Sequence, residues 1–237
     1  MYNNDTKNSS PRGFAEAVFG VGHFCRKLLI FGDGIQSIHI VRILFYICLF
    51  CKKRRTISEA SLRIIGGTER GRKLKAPDGM HTRPTLDKVR GAIFNVLFDV
   101  YGKEVLDMFG GSGAMGMEAI SRGAKKAVII DADRAAFRAM EENKKNLSYD
   151  DRADLRFCDF RKAFRRDECF DIIFLDPPYR KNLLEEALVF IDEMHLLKED
   201  GIIVCELGKD IAFELPVAGL EILKEKVYGQ TKVIFLK

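Results

Sequence analysis

Between Glu104 and Glu206, short, almost wholly apolar runs alternate with stretches of helical period, and few folds tolerate that alternation. Val105–Phe109, Ala127–Asp131, Leu155–Cys158, Asp171–Leu175 and Ile202–Glu206 read as strands. Ala114–Ser121, Arg134–Asn146 and Leu183–Met194 read as the helices between them. Strands that are apolar on both faces and joined through helices indicate a parallel sheet covered on both sides. Glu221–Val227 and Lys232–Leu236, on either side of Gly229-Gln230, read instead as an antiparallel hairpin. The expected class is α/β, a doubly wound and mostly parallel sheet that ends in that hairpin.

Upstream, Leu62–Ile65 and Lys73–Ala76 are strand candidates around the glycine-rich basic turn Gly66–Gly71. Leu86–Tyr101 has helical period, with Thr85 placed to cap it. The chain's 237 residues therefore divide into an atypical extension, 1–61, an N-terminal hairpin and helix, 62–103, and a main domain, 104–237. A net charge of +5 is mild, but eight cations between Arg63 and Arg90 meet only Glu69, Asp78 and Asp87. That imbalance suggests a face for a polyanion, with Arg63, Arg70, Arg72, Lys73 and Lys75 as the candidates.

Residues 1–61 differ in character. Met1–Arg12 is polar, as disordered segments are, and Ile35–Cys51 is apolar but broken by His39 and Arg42. Three readings stay open for this extension: a membrane-associated anchor, a small helical accessory, or a segment outside the functional protein, with Leu62 as an alternative start. Cys48 and Cys51 form a lone C-x-x-C without a second pair, so no metal is expected, and Cys158 and Cys205 read as small buried hydrophobes. Cysteine usage suits a reduced, cytoplasmic protein with no stable membrane partner.

Two motifs carry chemistry. Asp107-Met108-Phe109-Gly110-Gly111-Ser112-Gly113 follows the first strand of the main domain. A turn leaving a central strand must pass close to its ligand, and Gly110, Gly111 and Gly113 remove the side chains that would intervene, while Gly116 lets the next helix pack tightly. The spacing G-G-S-G-x-x-G departs from the dinucleotide fingerprint G-x-G-x-x-G. Asp107 is placed to accept from a ligand ammonium or its waters. Asp131, ending the second strand, is placed for two ribose hydroxyls, and Asp159, after the third, for an adenine amine. Asp133 reads as a helix cap.

Asp176-Pro177-Pro178-Tyr179 follows the fourth strand. Prolines fix the backbone and lack N–H donors, so local carbonyls are left as acceptors. Asp176 and the Pro177 carbonyl can take both hydrogens of an exocyclic amine, and Tyr179 can stack on the base for about 1–3 kcal/mol. With the glycine turn, this pattern indicates a Rossmann-like class I methyltransferase that uses S-adenosyl-L-methionine on an amine. A DNA amino-methyltransferase shares the clamp but usually adds a sequence-reading domain. A glutamine-amide enzyme would favour Asn at position 176, and a non-catalytic scaffold would be expected to lose clamp residues.

Arg63–Gly67, Arg70–Leu74, Arg83-Pro84-Thr85, Asp87, Val89-Arg90, Phe94-Asn95, the two motifs and Tyr228-Gly229 together resemble the RsmD-type family of bacterial methyltransferases. The resemblance spans residues 62–237. It implies methylation of a guanine 2-amino group in small-subunit (16S) ribosomal RNA, within the subunit or an assembly intermediate, by a monomer. It also implies cofactor contacts from Asp107, Phe109, Gly110, Gly111, Gly113, Asp131, Asp159, Arg83 and Thr85, catalysis by Asp176, Pro177 and Tyr179, and RNA contacts from the basic hairpin. Asp131 stands where the family often has glutamate, and an extension like 1–61 is unusual there.

Overall fold

In the computed structural model, chain order and spatial order part company at one place in the sheet, and that place locates the site. Residues 62–77, 84–178 and 182–237 are described, without the side chains of 84–86. They belong to one compact unit, Ser58–Lys237. The helices are α1 (Pro84–Leu97), α2 (Ala114–Ser121), α3 (Arg134–Leu147) and α4 (Leu183–Glu193). The strands are β1 (Glu104–Asp107), β2 (Lys126–Asp131), β3 (Ala153–Phe157), β4 (Phe170–Leu175), β5 (Leu197–Gly208), β6 (Ile222–Tyr228) and β7 (Thr231–Leu236).

Among the described residues the strands form one seven-stranded sheet in the order β3-β2-β1-β4-β5-β7-β6. β1 pairs in parallel with β2 on one side and with β4 on the other. The chain winds outward from β1 to β3 and then returns to continue from β4, so the topological switch point lies between β1 and β4. β7 inserts antiparallel between β5 and β6. This is the expected doubly wound sheet with its closing hairpin.

Alternation along the strands divides the core. Val105, Ile172, Phe174 and Val204 join α1, α2 and the N-terminal segment on one face. Leu106, Ile173, Leu175, Ile203 and Cys205 pack under α4 on the other. Leu62, Ile64 and Leu74 of the segment before α1 are buried in the first of these cores, so the described part of 62–103 packs directly on the sheet.

Several expectations are corrected. Leu62–Ile65 and Lys73–Ala76 make a single antiparallel bridge, Arg63 to Lys73, rather than two strands. The amides of Ile65 and Gly66 turn away to the Glu118 carboxylate, 2.7 Å each, and cannot continue a ladder. Thr85 does not cap α1, because the helix already begins at Pro84, where a missing N–H costs nothing. That helix stops at Leu97, and Phe98 follows in the left-handed conformation with φ 66°. β1 ends at Asp107, which leaves Met108 and Phe109 in the turn. β5 is longer than expected. Four residues, Lys198–Gly201, bulge from its pairing with β4, and Lys198 is held there by Asp171 at 2.9 Å and Glu104 at 3.1 Å. Cys158 is only half-buried, since it lies just past the end of the edge strand β3; Cys205 is buried as expected. Among the described residues no helix is long and apolar enough to cross a membrane, and the Ile35–Cys51 run and Cys48/Cys51 lie outside them.

Candidate active site

The glycine turn and the acidic proline corner leave neighbouring strands at the same carboxyl edge, either side of the switch point. Asp107 is level with Phe174 in the β1/β4 register, so Asp176 lies two residues further out on the adjacent strand. Open α/β sheets bind ligands in such a crevice.

The turn is fixed by a hydrogen bond within itself and by others to β2 and α3. The Gly110 amide donates to Ile130 O at 2.8 Å, and the Gly113 amide to Gly110 O at 2.6 Å. The Gly111 amide donates to Asp131 Oδ2 at 2.8 Å. Asn143 of α3, fully buried, donates to Ser112 O at 2.9 Å and to Lys75 O at 2.8 Å, while its own Oδ1 accepts from the Lys75 amide. One asparagine thus ties the glycine turn to the basic hairpin.

The glycines do different work. A Cβ on Gly110 would stand 2.5 Å from Ile129 Cγ2 and 2.8 Å from Met140 Sδ, and one on Gly116 would stand 2.7 Å from Ile129. Both are required by the protein's own packing, which corrects the expectation that Gly110 clears space for a ligand. Gly111, at φ 54°, has no atom of the described residues within 4 Å of where a Cβ would be, so its outer side is open among them.

Asp107 is buried at 3% exposure and accepts from the Gly116 amide at 3.1 Å. Burial, then repulsion from Asp176 and Asp131, pushes its carboxyl up to about 7 against the Gly116 bond. Asp131 accepts from the Gly111 amide and, through Oδ1, from the Asp133 amide at 2.8 Å; burial raises it too. With backbone donors from Gly111, Asp133 and Ala132, the carboxylate keeps lone-pair capacity for a further donor. Asp133 caps α3 as expected, accepting from Ala135 and Ala136 at 2.8 and 2.9 Å. Asp159 is exposed, caps the short 3₁₀ turn Phe160–Lys162 and pairs with Arg161 at 3.0 Å. Phe109 packs edge-on against Phe160, ring centroids 5.5 Å apart.

At the corner, Pro177 is buried and Pro178 exposed. Asp176 keeps an open surface, yet enough protein surrounds its carboxyl that burial pushes it up to about 6. Arg83 and Tyr179 lie outside the described residues, as does the side chain of Thr85.

One acidic neighbour escaped the sequence reading. Glu206 of β5 is level with Asp176, because Leu175 and Cys205 are register partners. Its carboxyl is pushed up to about 8 by burial, then by Asp176 and Asp107, with Arg90 pulling the other way. The available signal was a charged residue closing the apolar run Ile202–Cys205. Three carboxylates crowded at one strand edge favour a cationic guest.

The basic hairpin keeps all five of its candidate cations on the surface. Arg63 pairs with Asp87 at 3.6 Å, Arg72 with Glu69 at 3.7 Å and Lys75 with Glu142 at 2.6 Å. Arg90, counted in the same basic run, is corrected to a core residue. It is 3% exposed, donates to Asp87 and Arg63 O, and its Nε lies 3.7 Å from Glu118 Oε2. Glu118, also unforeseen, is fully buried and accepts from Ile65, Gly66 and Arg122.

A family model described as "Conserved hypothetical protein 95" matches residues 62–237. YlbH of Bacillus subtilis (strain 168) is 38% identical over 181 residues, covering 74% of this chain and 98% of the relative. Ribosomal RNA small subunit methyltransferase D of Escherichia coli (strain K12) is 35% identical over 180 residues, covering 76% of this chain and 91% of that protein. Among solved structures, yhhF from Escherichia coli superposes with a TM-score of 0.67 at 35% identity, over 74% of this chain and 97% of that one.

Proposed function

We propose, for a chain that belongs to the Conserved hypothetical protein 95 family, transfer of a methyl group from S-adenosyl-L-methionine to the 2-amino group of a guanine in small-subunit (16S) ribosomal RNA. The observation that carries this reading is the pairing of the glycine turn with the Asp176 corner across the β1/β4 crevice. The relative named for the small ribosomal subunit supports the choice of RNA.

The residues present fit the cofactor. Among the described residues Gly111 leaves open space beside the turn, and Asp131 keeps lone-pair capacity for a ribose. Asp107 supplies a desolvated carboxyl for a positively charged guest, and Asp159 an exposed one for an amine. When bound, the cofactor supplies an electrophilic methyl on a sulfonium sulfur.

The protein's task on the other side is positional. A guanine amine is a poor nucleophile because its lone pair is shared with the ring. Asp176 and the Pro177 carbonyl accept its two hydrogens and direct the lone pair at the methyl, which is catalysis by orientation and electrostatics. The cofactor would supply the methyl group and leave as the uncharged thioether, and Asp176, raised by burial to about 6, is placed to take the nitrogen's excess proton at neutral pH. Tyr179 is assigned the stacking role, Arg83 and Thr85 the methionine end of the cofactor. The hairpin, residues 63–75, is assigned the RNA backbone, with the target base drawn from its stack.

The test mixes purified protein and methyl-labelled cofactor with 16S rRNA, assembled small subunits and DNA, and then maps the label. Label on the 2-amine of one rRNA guanine is expected. Asp176→Ala should lose at least about 100-fold in kcat, as removal of a transition-state donor or acceptor does, while cofactor affinity changes only severalfold. Label on DNA, or full turnover by that variant, would overturn the assignment.

A further inference from the structure

Glu206 stands beside the proposed amine acceptor, and no hydrogen bond or ion pair among the described residues engages its carboxyl. Parallel neighbours lie about 4.8 Å apart, and Glu206 is level with Asp176 across one such step. The closeness is felt electrostatically, since Asp176 is the leading charge that raises the Glu206 carboxyl. The Glu206 side chain is half-buried and forms no hydrogen bond or ion pair with the described residues. Val204, two residues earlier, packs on the α1 face, so Glu206 continues the face from which Asp107 and Phe174 also project.

The chemistry of the bases gives such an acceptor a use. In guanine the 2-amine is flanked on one side by N1–H, a second donor on the pairing edge, and on the other by the acceptor N3. In adenine the amine is flanked by N1 and N7, and in cytosine by N3, all of them acceptors. Two adjacent carboxyl groups match the donor–donor edge of guanine and face a lone pair in either alternative. A carboxyl offers an acceptor oxygen whether or not it carries a proton.

We infer that Glu206 is the specificity-determining residue of this site, accepting the guanine N1–H beside the amine held by Asp176. This rests on the reading of the site given above and deepens it. Asp176 makes the amine reactive, and Glu206 decides which base may present one.

The probe is 16S rRNA ligated from two pieces so that the methylated position carries either guanine or 2-aminopurine. The analogue keeps the 2-amine but has a bare acceptor at N1. Wild-type protein should favour guanine by about 100-fold or more in kcat/KM, as expected of sites whose polar groups would otherwise be left unpaired. Glu206→Gln offers guanine an oxygen and the analogue an N–H, so the preference should shrink at least about tenfold, with a smaller change on guanine itself. Glu206→Ala should lose about 100-fold on guanine and leave the analogue unchanged. The preference is a ratio and is insensitive to the fraction of protein folded, so a poorly folding Ala variant leaves the Gln result decisive. A wild-type preference absent, or unaltered in both variants, overturns the role of Glu206 while guanine methylation stands. No methylation of rRNA guanine by wild type overturns both.

Discussion

Gly110 and Gly111 adjoin in sequence and serve opposite sides of one turn. The first is closed in by Ile129 and Met140, the second opens outward at positive φ. Gly110→Ala should therefore cost about 1–3 kcal/mol of stability through overpacking. Gly111→Ala meets no atom of the described residues and should cost only about 1–2 kcal/mol of backbone strain, with its main effect a loss of cofactor affinity. Denaturant unfolding alongside calorimetric titration of S-adenosyl-L-methionine separates the two outcomes. Equal losses of affinity with no loss of stability would show that both glycines face the ligand. The motif was legible because glycine and aspartate follow a strand in sequence. Which glycine answers to the ligand and which to the core was not, since Ile129 and Met140 reach Gly110 from other elements.

At the scale of elements, the N-terminal segment is held by polar latches rather than by a strand ladder. Glu118 in α2 receives two amides from residues 65 and 66, and Asn143 in α3 receives and gives bonds at Lys75. Those four bonds join positions more than fifty residues apart and leave no periodic trace, which is why Glu118 and Asn143 could not be read from the chain. The strand and helix order could be read, because hydrophobic period is local. Glu118→Ala would strand a buried arginine and two amides, and a loss of about 3–5 kcal/mol is expected. Glu118→Gln keeps acceptor oxygen and should lose less. Guanidinium titration of both variants, with limited proteolysis at residues 66–72, measures the latch; an unaltered midpoint in Glu118→Ala would deny it.

The whole molecule carries two opposed sets of carboxyl groups. Asp107, Asp176 and Glu206 are raised, to about 7, 6 and 8. Groups raised on folding contribute stability that is intact below the ordinary 3.8–4.5 and is lost as pH climbs through their folded values. Glu104 and Glu168 are held low, by hydrogen bonds from Lys125 and from Arg156, and lose their contribution only as pH falls below 4.5. The ligand-free protein should therefore melt highest near about pH 5 and several degrees lower by about pH 8. Thermal scans at constant ionic strength check this, and Asp107→Asn should flatten the alkaline decline; a rising melting temperature over that range would contradict it. The placement of β7 between β5 and β6 has a different kind of consequence. During synthesis on the ribosome, β5 emerges before the strand that will seal its flank, so the nascent polypeptide carries a bare apolar border until β7 is made and folds back past β6. Chaperone engagement is to be expected in that interval, and ribosome stalling there would favour aggregation over productive folding.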